Sequence, residues 1–115
     1  MKTLVLLVAL VVAAAPALAA TIAPADARRH AGQTVTVEGV VSEVHHIASG
    51  REIFIALGGR YPKTVFRAAI LGDDTAKFPD ADALKGKTVA VTGKIELYKG
   101  RAEIVLKDAA QLQVK

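Results

Sequence analysis

Two segments of the chain, residues 32–44 and 86–98, have nearly the same sequence. Five of thirteen positions are identical, including a first glycine and a second one seven residues later, Gly39 in one copy and Gly93 in the other. Apolar residues alternate between the glycines with the period of a β-strand. Two copies are too few for a solenoid, which needs about three or more stacked repeats. We therefore predict two long strands, bent or bulged at their second glycines, in equivalent places of one small β-barrel.

The first nineteen residues have the features of a secretory signal peptide. Lys2 is basic, residues 3–15 are apolar or small, and Ala17 and Ala19 form a small-x-small cleavage site. A retained membrane anchor is the alternative, but a spanning helix needs about 20 apolar residues and this run is shorter. We expect cleavage after Ala19, a periplasmic or secreted location, and one domain of residues 20–115 without a membrane span.

The exported part is small, mildly basic and free of cysteine. The whole sequence has 15 basic and 11 acidic residues, a net charge of +4 and no cysteine. The lack of cysteine excludes disulfides and thiol catalysis. A mild positive charge suits a polyanionic ligand but also serves solubility, so the clustering of the charges matters more than their sum.

Glycine and proline residues, which end helices and strands, divide the exported part into a short helix and five strands. Pro24 and Gly32 mark the two ends of the helix. Gly58, Gly59 and Pro62 place a loop between the second and third strands. Alternating apolar residues predict the five strands at residues 34–46, 51–57, 64–71, 87–98 and 101–107.

The remaining segments connect these strands. Residues 48–50 and 99–100 are predicted turns, and residues 72–85 form a polar connector with room for helical turns. A last segment, residues 111–114, is expected to extend or re-pair the fifth strand.

Five strands with a long connector between the third and the fourth are typical of the OB-fold, a partly open Greek-key barrel. We therefore predict an all-β protein with a five-stranded OB-fold barrel, a short amino-terminal helix and a helical connector. An SH3-like barrel is the alternative, but such barrels generally lack a connector at that place. In OB-folds the ligand surface lies on strands two and three, between the loops that join strands one to two and four to five.

Several motifs are similar to those of a known family. They are residues 53–70 with Tyr61-Pro62 and Phe66, the motif Lys77-Phe78-Pro79, and residues 89–100 with Tyr98-Lys99-Gly100 followed by Glu103-Ile104. In these motifs the chain resembles small exported bacterial OB-fold proteins described as nucleic-acid-binding or DNA-binding proteins. The resemblance covers nearly all of residues 20–115 and implies an OB barrel with a nucleic-acid ligand, although a fold does not by itself determine function.

An OB barrel binds single strands through a positive groove for phosphates and aromatic faces on which bases stack. Phosphate neutralisation is expected from the arginines and lysines of the predicted ligand surface, and base stacking from Phe54, Tyr61 and Tyr98. The nucleic-acid-binding candidates are Arg51, Phe54, Arg60, Tyr61, Lys63, Arg67, Tyr98, Lys99 and Arg101.

These candidates also have structural interpretations. Cations on exposed strand edges prevent edge-to-edge association. Phe54 lies opposite the apolar stripe of its strand, where the amino-terminal helix or the connector could cover it. Tyr61 could anchor its loop against the barrel. Phe66 lies on the apolar face of the third strand and is expected in the core.

No metal, cofactor or catalytic group is expected. His45 and His46 are neighbours on a strand and must point to opposite faces, and His30 lies on another element. The chain has no recognised spacing of metal ligands. The carboxylates at residues 73–74 and 80–82 lie in the connector, where such groups usually cap helices. No known catalytic motif is present.

The sequence thus predicts a non-catalytic, monomeric, exported OB-fold module that contacts single-stranded DNA or RNA through strands two and three and their flanking loops. The alternative is a periplasmic module that binds a protein of the envelope, a peptide or a small ligand. A continuous positive stripe across the two strands would favour nucleic acid, and an apolar patch or an uncovered strand edge would favour a protein.

Overall fold

The computed structural model describes residues 19–47 and 51–115, so most of the predicted signal peptide and the predicted turn at residues 48–50 lie outside the described residues. The described part forms four 3-10 helices at Pro24–His30, Gly72–Lys77, Ala81–Leu84 and Ala109–Gln111. Its strands are β1 Thr21–Ile22, β2 Thr34–Ile47, β3 Glu52–Leu57, β4 Phe66–Leu71, β5 Thr88–Lys94, β6 Glu96–Tyr98, β7 Arg101–Leu106 and β8 Leu112–Val114. Over these ranges, we find no helix with the length and apolar character needed to cross a bilayer.

All these strands belong to one sheet in the order β6-β7-β4-β3-β2-β5-β8, with β1 beside β2. Neighbours are antiparallel except for the parallel pairs β4–β7 and β1–β2. The all-β, barrel-like prediction is confirmed. The predicted strand count is wrong, since the sheet has eight strands instead of five, and the sheet is open, with β6 and β8 at its two edges.

The additional strands arise from hydrogen bonds that a local sequence pattern does not reveal. At Ile95 the predicted fourth strand changes its partner. The Ile95 N–H donates to the Gln33 carbonyl at 2.9 Å and its carbonyl accepts from the Gly32 N–H at 2.8 Å, next to β2, whereas the following residues pair with β7. This splits the segment into β5 and β6. Leu112–Val114 pairs with β5, not with the fifth predicted strand.

The two copies of the repeat are partners in the sheet. β2 and β5 run antiparallel, with Val37 opposite Val91, Gly39 opposite Val89 and Val35 opposite Gly93. Each glycine of one copy therefore faces the first valine of the other, so the ribbon has an approximate local two-fold axis through the Val37–Val91 pair. The hydroxyls of Thr36 and Thr92 add a hydrogen bond of 2.7 Å between the copies.

The repeat glycines make room for neighbouring elements. A Cβ on Gly39 would lie 2.7 Å from Cγ of Pro24, and one on Gly93 would lie 2.6 Å from Cγ2 of Ile104. Both distances are too short for a real contact. The irregularity expected at Gly39 lies further along, between Val41 and Glu43, where the register of β2 against β3 shifts.

Inward residues of the strands form the core, as the alternation predicts. Ile55, Leu57, Phe66 and Ile104 are fully buried, and the expected core position of Phe66 is confirmed. The connector adds Phe78 and Leu84 to the same cluster from its two helical turns. It therefore covers part of the core.

Two of the connector carboxylates bind basic side chains, and none of the four caps a helix end. Asp82 contacts His46 Nε2 on β2 at 2.7 Å. Asp74 accepts a hydrogen bond from Lys77 at 2.9 Å, which raises the pKa of this lysine. The helix-capping role predicted for these carboxylates is therefore wrong, because neither connector helix has a side-chain hydrogen bond at its amino-terminal cap.

Candidate functional site

A groove of about 680 Å³ runs along the outer faces of β3, β4 and β7. Because side chains alternate along each strand, the residues opposite the core stripe line this groove. Ile47, Glu52 and Leu71 lie at one end, and Tyr61 and Lys99 lie at the other. From residue 52 to residue 57, β3 extends for about 20 Å, which sets the length of the groove.

Arg67 lies at the centre of the groove between two aromatic rings. Its Cζ is 3.9 Å from the centroid of Phe54 and 5.3 Å from the centroid of Tyr98. Phe54 and Arg67 are diagonal neighbours on the sheet, and the residues opposite them are Ala69 and Ala56. Two alanines leave room for the larger side chains to lie flat, and both alanines are buried. The cation–π contact orients the guanidinium group.

Glu103 on β7 is the partner of Arg67. Nε of Arg67 donates to Oε1 of Glu103 at 3.1 Å, and Nη2 lies 3.0 Å from the same oxygen. The two side chains are only 14% and 12% exposed, so this ion pair is largely desolvated. Sequence reasoning missed Glu103. Only the parallel pairing of β4 and β7 could have identified Glu103, because this pairing places it directly beside Arg67.

The turn between β6 and β7 presents Tyr98, Lys99 and Arg101 at one end of the groove. Lys99 and Gly100 have φ values of 51° and 79°, as a two-residue type I′ hairpin requires. Nζ of Lys99 lies 5.4 Å from the ring of Tyr98, which is 52% exposed. The turn thus holds an accessible aromatic ring beside two cations.

The loop between β3 and β4 is attached to β2. The backbone N–H of Tyr61 donates to Oε1 of Glu43 at 3.1 Å, and Oγ of Ser42 donates to the carbonyl of Gly59. The ring of Tyr61 stacks on His45 with a centroid distance of 6.0 Å and remains 66% exposed. Its backbone therefore anchors the loop while its ring stays accessible. A smaller hollow of about 180 Å³ lies beside it and continues the groove.

The groove brings together six of the nine predicted site residues and leaves three on its periphery. Arg51 precedes β3, at the opposite end from Lys99, and Arg60 and Lys63 flank Tyr61 in the loop. The six that line the groove are Phe54, Tyr61, Arg67, Tyr98, Lys99 and Arg101.

The cations at the ends of the groove have no counter-ion. Within residues 19–47 and 51–115, Arg67 is the one predicted cation that forms an ion pair. The cations without an ion pair are Arg51, Arg60, Lys63, Lys99 and Arg101.

Carboxylates interrupt the positive surface in the middle of the groove. Glu52, Glu96 and Glu103 all line it, and Glu96 is directly opposite Glu103 on the neighbouring strand. The continuous positive stripe named above as a mark of nucleic-acid binding is therefore absent from the described groove. Cations without an ion pair lie at its ends, Glu96 and Glu103 lie between them, and Glu52 lies at the end next to Arg51.

The two neighbouring histidines point to opposite sides of β2, as predicted. His45 stacks on Tyr61 near the groove, and His46 contacts Asp82 of the connector. Among the described residues, no three histidine, cysteine or acidic side chains are close enough to hold a metal ion together.

Comparison with known proteins identifies the fold. No protein-family model and no curated protein matches the chain. Solved structures do match. An OBody, AM3L09, bound to hen egg-white lysozyme has a TM-score of 0.60 at 16% identity and aligns over 83% of this chain and 93% of its own. A second OBody, AM1L10, also bound to lysozyme, has a TM-score of 0.58 at 20% identity, with 84% and 93% covered.

An enzyme shows the same likeness over a small part of its length. Asparaginyl-tRNA synthetase from Pyrococcus horikoshii matches with a TM-score of 0.57 at 22% identity, over 81% of this chain. The chain spans about a fifth of that enzyme, since 22% of the synthetase is covered. Together with the strand order, these matches show an all-β, barrel-like domain of the OB class.

Proposed function

We propose that this protein is an exported, non-catalytic OB module that binds single-stranded nucleic acid, DNA or RNA, in the groove over β3, β4 and β7. The observation that carries the proposal lies at one end of the groove, where exposed tyrosines lie beside cations that have no counter-ion among the described residues. Tyr98, Lys99 and Arg101 form one such set, and Arg60, Tyr61 and Lys63 form the second. Aromatic faces with adjacent cations are what sequence-tolerant single-strand binding requires.

Phosphates would contact the cations at the ends of the groove. Arg67 already has Glu103 as its counter-ion, so the phosphate-binding role expected for it passes to the five unpaired cations. Arg51 would act at the far end of the groove, and Lys99 and Arg101 at the near end. A strand held at both ends would lie along the full length of β3.

Bases would stack on the accessible rings. Tyr61 and Tyr98 are 66% and 52% exposed, whereas one face of Phe54 is already covered by Arg67. The guanidinium group of Arg67 can itself support a base, because bases also stack on arginine planes. The stacking role expected for Phe54 would thus be indirect, through the guanidinium group that it orients.

The salt dependence of binding tests the proposal. Contact with three or four phosphates predicts that log affinity falls against log salt with a slope of about −2 to −3 for single strands. The measurement is fluorescence anisotropy with labelled single-stranded DNA and RNA. No binding at low salt, or an affinity that does not change with salt, would contradict the proposal.

A pair of double variants locates the site. Lys99→Ala with Arg101→Ala should weaken binding about tenfold or more and make the slope shallower by about 1.4. Lys85→Ala with Lys87→Ala removes the same charge from exposed positions outside the groove and should change affinity little. Equal losses in both variants, or equal binding of heparin, would indicate generic attraction to polyanions.

The second candidate function is binding of a protein, a peptide or a small ligand. Two observations favour it: the carboxylates inside the groove, and the OBody neighbours, whose structures contain bound lysozyme. The same titrations separate the candidates, because a module dedicated to such a ligand would bind neither DNA nor RNA at low salt.

A further inference from the structure

We propose that the groove selects guanine among the bases, through the carboxylates of Glu96 and Glu103. This inference rests on the proposed function and deepens it. It also gives a role to Glu96, which phosphate binding and stacking leave without one.

The first step is the free acceptor on Glu103. Both contacts from Arg67 go to Oε1, and no described residue donates a hydrogen bond to Oε2. The residue is only 9% exposed and lines the groove. Oε2 therefore keeps its capacity to accept a hydrogen bond from a ligand in the groove.

The second step is the position of Glu96. It is exposed, it lies directly opposite Glu103 in the register of β6 and β7, and it makes no ion pair with a described residue. Directly opposed residues of an antiparallel pair have Cβ atoms about 4.5–5.5 Å apart, and like charges at this position destabilise the sheet. Two adjacent acceptors at a cost in stability are consistent with a ligand that carries two adjacent donors.

The third step is the chemistry of the bases. Guanine has two neighbouring donors, N1–H and N2–H, on its Watson–Crick edge, so it can donate to two adjacent carboxylates at once. Adenine and cytosine present one amino group beside an acceptor. Thymine and uracil present one N–H between two carbonyl oxygens, which carboxylates repel. Guanine therefore satisfies the pair of carboxylates best.

The stacking platform is correctly placed for this contact. Tyr98 is two residues from Glu96, so the two side chains lie on the same face of β6 and line the same groove. A base stacked on Tyr98 would have its edge near both carboxylates. Its phosphates would lie toward Lys99 and Arg101 and away from the acidic centre.

The test compares labelled 12-mers that differ in their central bases. The probes are dT12, the same strand with alternating dG in its centre, and a third strand with inosine, which lacks the N2 amino group, in place of guanine. Protein purified from cells that express the full chain should bind the dG strand about tenfold tighter than dT12 at the same salt. Inosine should remove most of this gain.

Substitution of Glu96 assigns the preference to this residue. Glu96→Gln should reduce the ratio of the dG affinity to the dT12 affinity to less than about twofold, because it removes one of the two adjacent carboxylates. Glu38→Gln makes the same change on β2, outside the groove, and should keep the full preference. Glu96 is exposed, so its variant should fold, whereas substitution of the buried Glu103 would leave Arg67 without its partner.

The outcomes separate the two proposals. Equal affinity for dT12, dG and inosine strands overturns guanine selection and leaves the proposed function standing. Binding to none of the three strands overturns both. A preference for dG that persists in Glu96→Gln overturns the assignment to the carboxylates.

Discussion

At the scale of single residues, the Arg67–Glu103 pair determines what the centre of the groove can do. The guanidinium group is fixed by Phe54 on one side and by Glu103 in its plane, so its charge is compensated and its plane is oriented. A buried pair of this kind contributes little net stability, but the removal of one partner leaves the other charge buried and uncompensated. The main effect of the pair is therefore to hold the flat guanidinium group of Arg67 in place, because Glu103 compensates its charge.

Arg67→Met should destabilise the fold by about 3 kcal/mol, because Glu103 would keep a buried charge without a partner. The double variant Arg67→Met with Glu103→Met should be more stable than the single one, since it removes both charges. Urea denaturation monitored by circular dichroism measures both values. Glu103→Met alone completes the cycle, and a double variant that loses the sum of the two single losses would show that the pair is not energetically coupled.

The residue scale also shows what local patterns can and cannot predict. Alternation identifies inward residues such as Ile55 and Phe66 and outward ones such as Phe54, because it follows from strand geometry alone. It does not identify the counter-ion of Arg67. Glu103 is 36 residues further along the chain, and only the pairing of β4 with β7 brings it there.

At the scale of elements, the repeated strands explain both the success and the error of the strand prediction. Their pattern correctly placed β2 and β5, with inward valines in both. It could not reveal that the chain changes its partner at Ile95, from β2 for β5 to β7 for β6, which divides one predicted strand into two. The strand count was wrong for this reason, and also because short strands such as β1 and β8 depend on partners distant in sequence.

Gly39→Ala should destabilise the protein by about 1–3 kcal/mol, because its Cβ would overlap the ring of Pro24. Thermal or urea unfolding measures this loss. Pro24→Ala removes the overlapping ring atoms, so the double variant should recover most of the stability lost by Gly39→Ala alone. Pro24→Ala by itself is the control. If the second substitution restores nothing, Gly39 has a backbone role and not a packing role.

At the scale of the whole molecule, the described domain begins close to the predicted cleavage site. The Ala20 carbonyl accepts a hydrogen bond from the Thr36 N–H at 2.8 Å, and β1 starts at the next residue. Cleavage after Ala19 would therefore leave every described hydrogen bond of the sheet intact.

Most candidate site residues could be predicted from the sequence. The distribution of charge between the ends and the middle of the groove could not, because it depends on the order of the strands in the sheet.

Export should yield a protein that begins at Ala20. Mass spectrometry of the protein recovered from the envelope or the medium of expressing cells measures its first residue. Ala19→Arg should block processing, because signal peptidase requires a small residue there, whereas Ala19→Ser should be processed normally. A full-length mass for the unmodified chain would contradict the export proposal.

The pairing of the two repeats also bears on how the groove is assembled during folding. Val37 and Val91 are partners in the sheet although 54 residues separate them, and β3 and β4 lie within the loop that their pairing closes. Such a long-range contact is entropically costly to form and tends to slow folding. Substitutions in this ribbon, far from any ligand, should thus reduce the rate at which refolded protein becomes able to bind, and they should leave the affinity of the folded molecules unchanged.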